Sequence, residues 1–335
     1  MSPPPAAVIE PLLGILPDPS PSMVRDTQLR RQAFLAVILA AMCIGFSAPL
    51  VRLADAGPAA IGFWRLFFAL GPAMVWAYAE HRSRVRHARL AGATALRPSL
   101  RQVLLAMLAG LFFGADLIVF HKGLALTSTA NALLLGNLAV VFVFAFGWLI
   151  LRERPTRGLM VALVLALTGT AIIIGSSAVG GSRPGTYAVS VAGDILCVGA
   201  ALAYASYMLA TRAVRRAGRG DAVPLGGGMV SLIASATGAV VCLGWAVASG
   251  ETLIPQSLQG LLAVIGLGLI AHATGQGLAT FALGRLPAGV ISVVLLLQIV
   301  VGTALAALLF GEVPSLVVLV GGLLVVAGVT TARPG

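Results

Sequence analysis

The chain has 335 residues, 59% of them hydrophobic and only 10% charged, with a mean hydropathy of +1.01 and a formal net charge of +11. A soluble domain carries about 25% charged residues and is about half apolar, so this composition cannot furnish a water-exposed surface. It excludes a soluble enzyme, a nucleic-acid-binding protein and a disordered chain, and leaves an all-α polytopic membrane protein.

Residues 1–31 are proline-rich and hold one short apolar run at 8–16, interrupted by Glu10 and Pro11 and preceded by no basic residue. That is a poor signal peptide, and residues 1–31 are expected to form a disordered cytoplasmic tail. Met23 would serve as a start as well as Met1 does.

A helix needs about 20 mainly apolar residues to cross a bilayer. Segments of that kind fall near 33–51, 58–79, 103–121, 127–150, 158–177, 190–211, 227–248, 258–281, 286–310 and 315–331. Ten spans are therefore expected. The continuous apolar runs exclude an outer-membrane barrel, whose strands alternate. With the N-terminus inside, 18 of the 22 basic residues fall in inner segments, and only Arg52, Lys122 and Arg183 fall outside. Arg65 lies within a span. This asymmetry places both termini in the cytoplasm and gives the +11 charge a meaning other than phosphate binding. Cys43, Cys197 and Cys242 all lie in apolar segments without metal-ligand or redox spacing, and read as small buried hydrophobes.

The fourth and ninth spans end alike, in Glu153 and Pro155 and in Glu312 and Pro314, 159 residues apart. Gly169 meets Gly328 at the same offset, and Ala40, Ala41 and Arg52 meet Ala200, Ala201 and Arg212 at an offset of 160. The chain thus reads as two five-helix repeats, 32–178 and 190–331, joined by an external loop at 179–189 and followed by a short cytoplasmic tail at 332–335. Because five is odd, the second repeat enters the membrane from the opposite side. Inverted repeats around a central cavity are the architecture of alternating-access transporters.

These features resemble the EamA-type family of the drug/metabolite transporter superfamily. The resemblance rests on Arg-Glu-Arg-Pro at 152–155 and Gly-Glu-Val-Pro at 311–314, each followed by a small-residue helix with Gly169 or Gly328. It rests also on Phe63-Trp64-Arg65 in the second span, TSTANA at 127–132 and Leu295-Leu296-Leu297-Gln298 in the ninth span. It covers residues 33–331 and implies export of amino acids or other small metabolites across the bacterial inner membrane. Ile299 follows Gln298 where relatives often carry proline, which removes the proline-based reason for a kink there. From the family resemblance, helices one to four and six to nine are expected to enclose the cavity, with the fifth and tenth at the periphery. A monomer is expected, since both repeats lie in one chain.

Polar groups at membrane depth need a partner or a cavity. Arg65 and Asp116 sit at one depth, some five to seven positions or roughly 8–10 Å of rise from the outer end, so a direct or water-bridged pair is one expectation. Snorkelling of Arg65 to external headgroups is the other. His272 and Gln276 are four apart on one face of the eighth span, with Gly275 and Gly277 beside them for close approach. Asn131, Asn137 and Gln298 add polar groups at depth, and Trp64, Phe68, Phe112, Phe113, Tyr204 and Tyr207 form an aromatic platform. The substrate-cavity candidates are therefore Trp64, Arg65, Asp116, Asn131, Tyr204, Tyr207, His272, Gln276 and Gln298. Glu153, Pro155, Glu312 and Pro314 read as turn or gating residues, with each glutamate meeting backbone donors at the N-terminus of the helix that follows it.

A mostly apolar cavity with a few donors and acceptors suits an amphipathic solute better than a polyphosphate. No cofactor or metal is expected, and the partners are a small-molecule substrate and membrane lipid. Two rival readings stand. An intramembrane enzyme would need clustered carboxylates or a serine with a histidine base, and Asp116, Asp194 and His272 are scattered. A channel would need a continuous polar pore. The glycine-rich stretch at 175–185 lacks the lysine of a Walker A loop.

Overall fold

The computed structural model describes residues 21–90, 98–126, 135–180, 191–216, 225–310 and 316–331, and all regular structure in them is helical. The helices are α1 (Pro21–Gly45), α2 (Ser47–Leu53), α3 (Pro58–Leu90), α4 (Leu100–Leu126), α5 (Ala139–Leu151) and α6 (Arg157–Gly180). They continue with α7 (Val191–Arg216), α8 (Gly227–Ala248), the three-part α9 (Leu258–Leu283), α10 (Ala288–Leu295), α11 (Leu297–Phe310) and α12 (Leu316–Thr331). Among the described residues six helices are long and apolar enough to cross a bilayer: Thr27–Leu53, Pro58–Arg86, Leu100–Gly123, Val191–Arg216, Gly227–Ala248 and Leu258–Leu283. Four shorter apolar helices accompany them, Ala139–Leu151, Arg157–Ile172, Ala288–Gly302 and Leu319–Thr331. The helix α1 begins at Pro21, so residues 21–31, expected as a disordered tail, are helical. The hydrophobicity of the tail is too low to announce a helix; it is carried as an extension of the apolar span behind it.

The helix ends follow local chemistry. Ser99 Oγ accepts from Gln102 N and Gln102 Oε1 accepts from Ser99 N, a capping box at the start of α4. Ser257 and Thr156 accept from Gly260 N and Leu159 N at the starts of α9 and α6. At the end of α5, Arg152 adopts a left-handed φ of 55° and Glu153 N bonds back to Gly147 O, which closes the helix ahead of Pro155.

The apolar residues are distributed as a bilayer requires. Large side chains such as Val75, Leu149, Leu308 and Leu316 are exposed, while the interior is rich in alanine, including Ala33, Ala40, Ala60, Ala109, Ala162, Ala166 and Ala205. Small residues let backbones approach where water supplies no driving force between helices. The main packing partners come from opposite sequence halves: α4 on α7 and α8, α3 on α8 and α9, α1 on α9 and α11, α5 on α7 and α10, and α6 on α12.

Several of these contacts are reciprocal. A Cβ on Gly169 would stand 2.8 Å from Val325 N, and one on Gly328 would stand 2.9 Å from Ala166 N. A Cβ on Gly110 would collide with Ala234 O and stand 2.8 Å from Thr237 Cβ, while one on Gly268 would stand 3.1 Å from Arg65 O and 2.5 Å from Phe68 Cβ. Glu251, just past α8, accepts from Ala59 N and Ala60 N at the start of α3. Glu80, late in α3, accepts from Gly227 N and Gly228 N at the start of α8. Each of these antiparallel helices thus has its N-terminal donors met by a carboxylate from the far end of the other.

Two irregularities bear on the site. The helix α9 opens into a π-helical stretch at Leu267–Gln276, where Thr274 Oγ1 donates to Leu269 O. Short turns at Asn137, ahead of α5, and at Leu296, between α10 and α11, interrupt the fourth and ninth apolar segments. The second break forms without the proline whose absence argued against a kink.

Candidate substrate site

Four helices bring polar side chains to the middle of the bundle: α3 supplies Arg65, α4 Phe113 and Asp116, α7 Tyr204 and Tyr207, and α9 His272 and Gln276. The Phe113 ring is their hub. Its centroid lies 4.7 Å from that of Tyr207, 5.2 Å from His272 and 6.3 Å from Tyr204, and the Arg65 guanidinium carbon stands 5.7 Å from it. Contact of a guanidinium with a ring face offsets part of the cost of burying the cation.

Arg65 is 8% exposed and His272 is 3% exposed, and neither is fully satisfied. Ser235 Oγ bonds His272 Nε2 at 2.9 Å, but Nδ1 has no partner, and Arg65 Nε has none either. Gln276 Nε2 donates to Tyr204 OH at 3.4 Å. The π-helical stretch accounts for the placement of His272 and Gln276. Its glycines let α9 press against α3 at Gly268 and against α1 at Gly275, where a Cβ would stand 2.7 Å from Ile44 Cγ1. Such stretches widen the helix and re-aim side chains.

Arg65 and Asp116 do not touch: no nitrogen–oxygen approach within 4 Å joins them, although each is the principal charge acting on the other. Nor does Arg65 snorkel, since it is buried against Phe113. The aromatic platform divides. Phe113, Tyr204 and Tyr207 converge, whereas Trp64 turns away, stacks on Phe68 at 5.5 Å and donates from Nε1 to Leu253 O at 2.7 Å. Phe112 packs at the edge of the main core. Gln298 opens α11 and is half-buried. Asn131, Glu312 and Pro314 lie outside the described residues.

A cavity of about 10 Å³ lies in the cluster, lined by Phe113, Tyr207, Thr211, Ser235, His272 and Thr280 among others. That is room for about one water, so the centre is closed in this conformation. Ser235, Thr211 and Thr280 escaped sequence reading, because hydroxyls in apolar helices are common and only the fold brings these three to one place.

Both ends of the bundle are tied across the sequence halves. At one end Gly57 N donates to Thr252 O and Asp55 Oδ1 accepts from Gln256 N, while within the first half His121 Nδ1 meets Pro58 O at 2.9 Å. The Ser257 side chain holds the Asp55 carboxyl below its ordinary range against an opposing effect of desolvation, and the backbone N–H of Gln256 adds to the lowering. At the other end Glu153 Oε1 accepts from Arg212 Nε at 2.9 Å and Arg216 Nη1 at 2.8 Å, and Oε2 accepts from Ala288 N at 3.0 Å. Arg212 also donates to Leu283 O. The backbone donor therefore belongs to the start of α10, not to the helix that follows Glu153, whose first turn is capped by Thr156 instead. Pro155 and Glu153 border a second cavity of about 440 Å³ at this end.

Helices with apolar exteriors, reciprocal backbone contacts and ionisable side chains turned inward define a multi-pass integral membrane protein. The profile of the EamA-like transporter family matches residues 31–175 and 191–332, most of the chain, and the chain belongs to that family. It is a transporter-family protein. No curated protein matches the chain. Twenty-nine solved chains do. One of them, a crystal structure described simply as that of a protein, aligns over 90% of this chain and 96% of its own with a TM-score of 0.68 and 20% identity. That likeness concerns the fold alone.

Proposed function

We propose that the protein exports amino acids or similar small amphipathic metabolites across the bacterial inner membrane by alternating access. The observation that carries this reading is the buried cluster of Arg65, Phe113, Tyr204, Tyr207, His272 and Gln276, contributed by both sequence halves. An amino acid presents a carboxylate, an ammonium and a side chain. The unpartnered Nε of Arg65 suits the first, Asp116 suits the second, and the faces of Phe113 and Tyr207 suit an apolar third. Two opposite charges held near each other without contact are what a zwitterion can bridge.

Ten spans arranged as two inverted repeats are the architecture we infer. The reciprocal contacts support it. Gly169 with Val325 and Gly328 with Ala166 exchange under the 159-residue offset, and the Glu80 and Glu251 caps exchange α3 with α8. The interruptions at Asn137 and Leu296 are likewise 159 residues apart. Paired interruptions in corresponding helices mark binding sites in repeat transporters. The arginine asymmetry supports an orientation with the Glu80 end and both termini in the cytoplasm. In alternation, the ties at one end release while those at the other hold.

The test is counterflow in proteoliposomes loaded with a panel of ten chemically diverse amino acids. Uptake of several of them, reduced by Arg65→Leu and by Asp116→Ala, is the expected result. Absence of counterflow for every member would defeat the substrate assignment.

A further inference from the structure

The cavity of about 440 Å³ at the Glu80 end shares no lining residue with the central one. Its lining holds five arginines, of which Arg30, Arg154 and Arg216 are exposed, Arg285 is half-buried and Arg212 is buried, against one carboxylate, Glu153. Glu153 is already consumed by Arg212, Arg216 and Ala288 N. Arg285 lies over the Phe281 ring at 3.8 Å, with Nη1 donating to Phe281 O. Its neighbours are the start of α6, where a Cβ on Gly158 would meet nothing within 4 Å, and the start of α10. Both are positive ends of helix dipoles.

The remaining lining is different in kind. Val143 and Phe144 of α5, Leu159 of α6 and Val290 of α10 belong to it. Next to them on α5, Trp148, Leu149 and Ile150 are exposed on the outer face of the bundle. The site therefore joins exposed cations to buried apolar side chains, and it borders the outward faces of peripheral helices. A free anion would be served by the arginines alone. A molecule with a phosphate at one end and acyl chains at the other is served by both parts.

We propose that this vestibule binds the phosphate headgroup of an anionic phospholipid from the leaflet that the arginine distribution makes cytoplasmic. Basic pockets between membrane helices on that side are suited to such headgroups. The bound lipid neutralises Arg30, Arg154 and Arg285 and fills the gap between α5, α6 and α10. The assignment rests on membrane embedding and not on what is transported, so it stands or falls apart from the counterflow result.

Native mass spectrometry of the full chain, taken from nanodiscs of equal phosphatidylglycerol and phosphatidylcholine, tests it. One phosphatidylglycerol retained in preference to phosphatidylcholine is expected. Arg30→Gln with Arg154→Gln removes two exposed cations without breaking the Glu153 contacts. It should cut the preference about thirtyfold, two arginines' worth of surface attraction. Arg82→Gln with Arg86→Gln, an equal charge change on α3 away from the cavity, should leave it unchanged. Equal retention of both lipids by the native chain overturns the proposal, as does an equal loss in the control variant. Displacement of the lipid by millimolar inorganic phosphate assigns the site to a free anion and overturns it too.

Discussion

Glu153 accepts from Arg212, Arg216 and Ala288 N, and its replacement by glutamine isolates the worth of its charge. Glutamine keeps the shape and an oxygen for Ala288 N, but leaves two guanidiniums facing a neutral amide. The two are not equivalent. The Arg212 side chain is 7% exposed and that of Glu153 14%, so this pair is largely desolvated, whereas Arg216 is 48% exposed. Removing one partner of a buried pair costs about 3–5 kcal/mol, while exposed pairs are worth about 0.2–1 kcal/mol. Arg212 retains its bond to Leu283 O, which favours the low end of the first range, so Glu153→Gln should destabilise the protein by about 3 kcal/mol. Arg216→Gln alone should cost less than about 1 kcal/mol. Unfolding in mixed detergent micelles, followed by circular dichroism, measures both. A double-mutant cycle of Glu153→Gln with Arg212→Gln should return a coupling of about 2 kcal/mol, persisting in 1 M salt because buried pairs are weakly screened. A loss below about 0.5 kcal/mol for Glu153→Gln, or equal losses for the two arginine variants, would refute the reasoning.

Three further outcomes follow from the geometry. Gly169→Ala should destabilise by about 1–3 kcal/mol through overpacking against α12, whereas Gly71→Ala, whose Cβ meets nothing within 4 Å, should be neutral or gain up to about 1 kcal/mol from helix propensity. The same unfolding assay reads both, and a reversed order dismisses the packing account. Ser235→Ala should cost about 1–3 kcal/mol by leaving the buried His272 ring without its bond, and adding His272→Phe should recover most of it; simple additivity would contradict the contact. The Asp55 carboxyl is depressed in the folded state, so its stabilising effect is present above the unfolded value of about 3.9 and is lost as pH falls through the lower folded value. The thermal midpoints of the native chain and of Asp55→Asn should differ at pH 6 and converge on acidification below the ordinary aspartate range, and a constant difference at every pH would contradict this.

The amino-acid sequence by itself determined the solvent, the class and the family. Burial of a 20-residue apolar run is a local matter, readable from composition, and the motifs around Glu153 and Gly169 carry the family resemblance in order along the chain. The polar residues of the eighth span were legible too, and His272 and Gln276 are both buried on α9, bonded to Ser235 and Tyr204 respectively. Partners on different helices were not. Arg65 and Asp116 were expected at one depth, yet no ion pair joins them and Phe113 stands beside the guanidinium instead. Neighbours in sequence were likewise separated: Trp64 faces the loop after α8 while Arg65 faces the centre, because adjacent helical positions point about 100° apart. Glu153 was expected to serve the next helix in sequence, and it serves α7 and α10. Only the tertiary structure decides such pairings, because in an apolar solvent a buried polar group joins whichever donor the backbone packing brings within reach. That packing is set by where glycine and alanine let two helices approach, as at Gly169 and Gly268, a property of helix pairs and not of either helix alone.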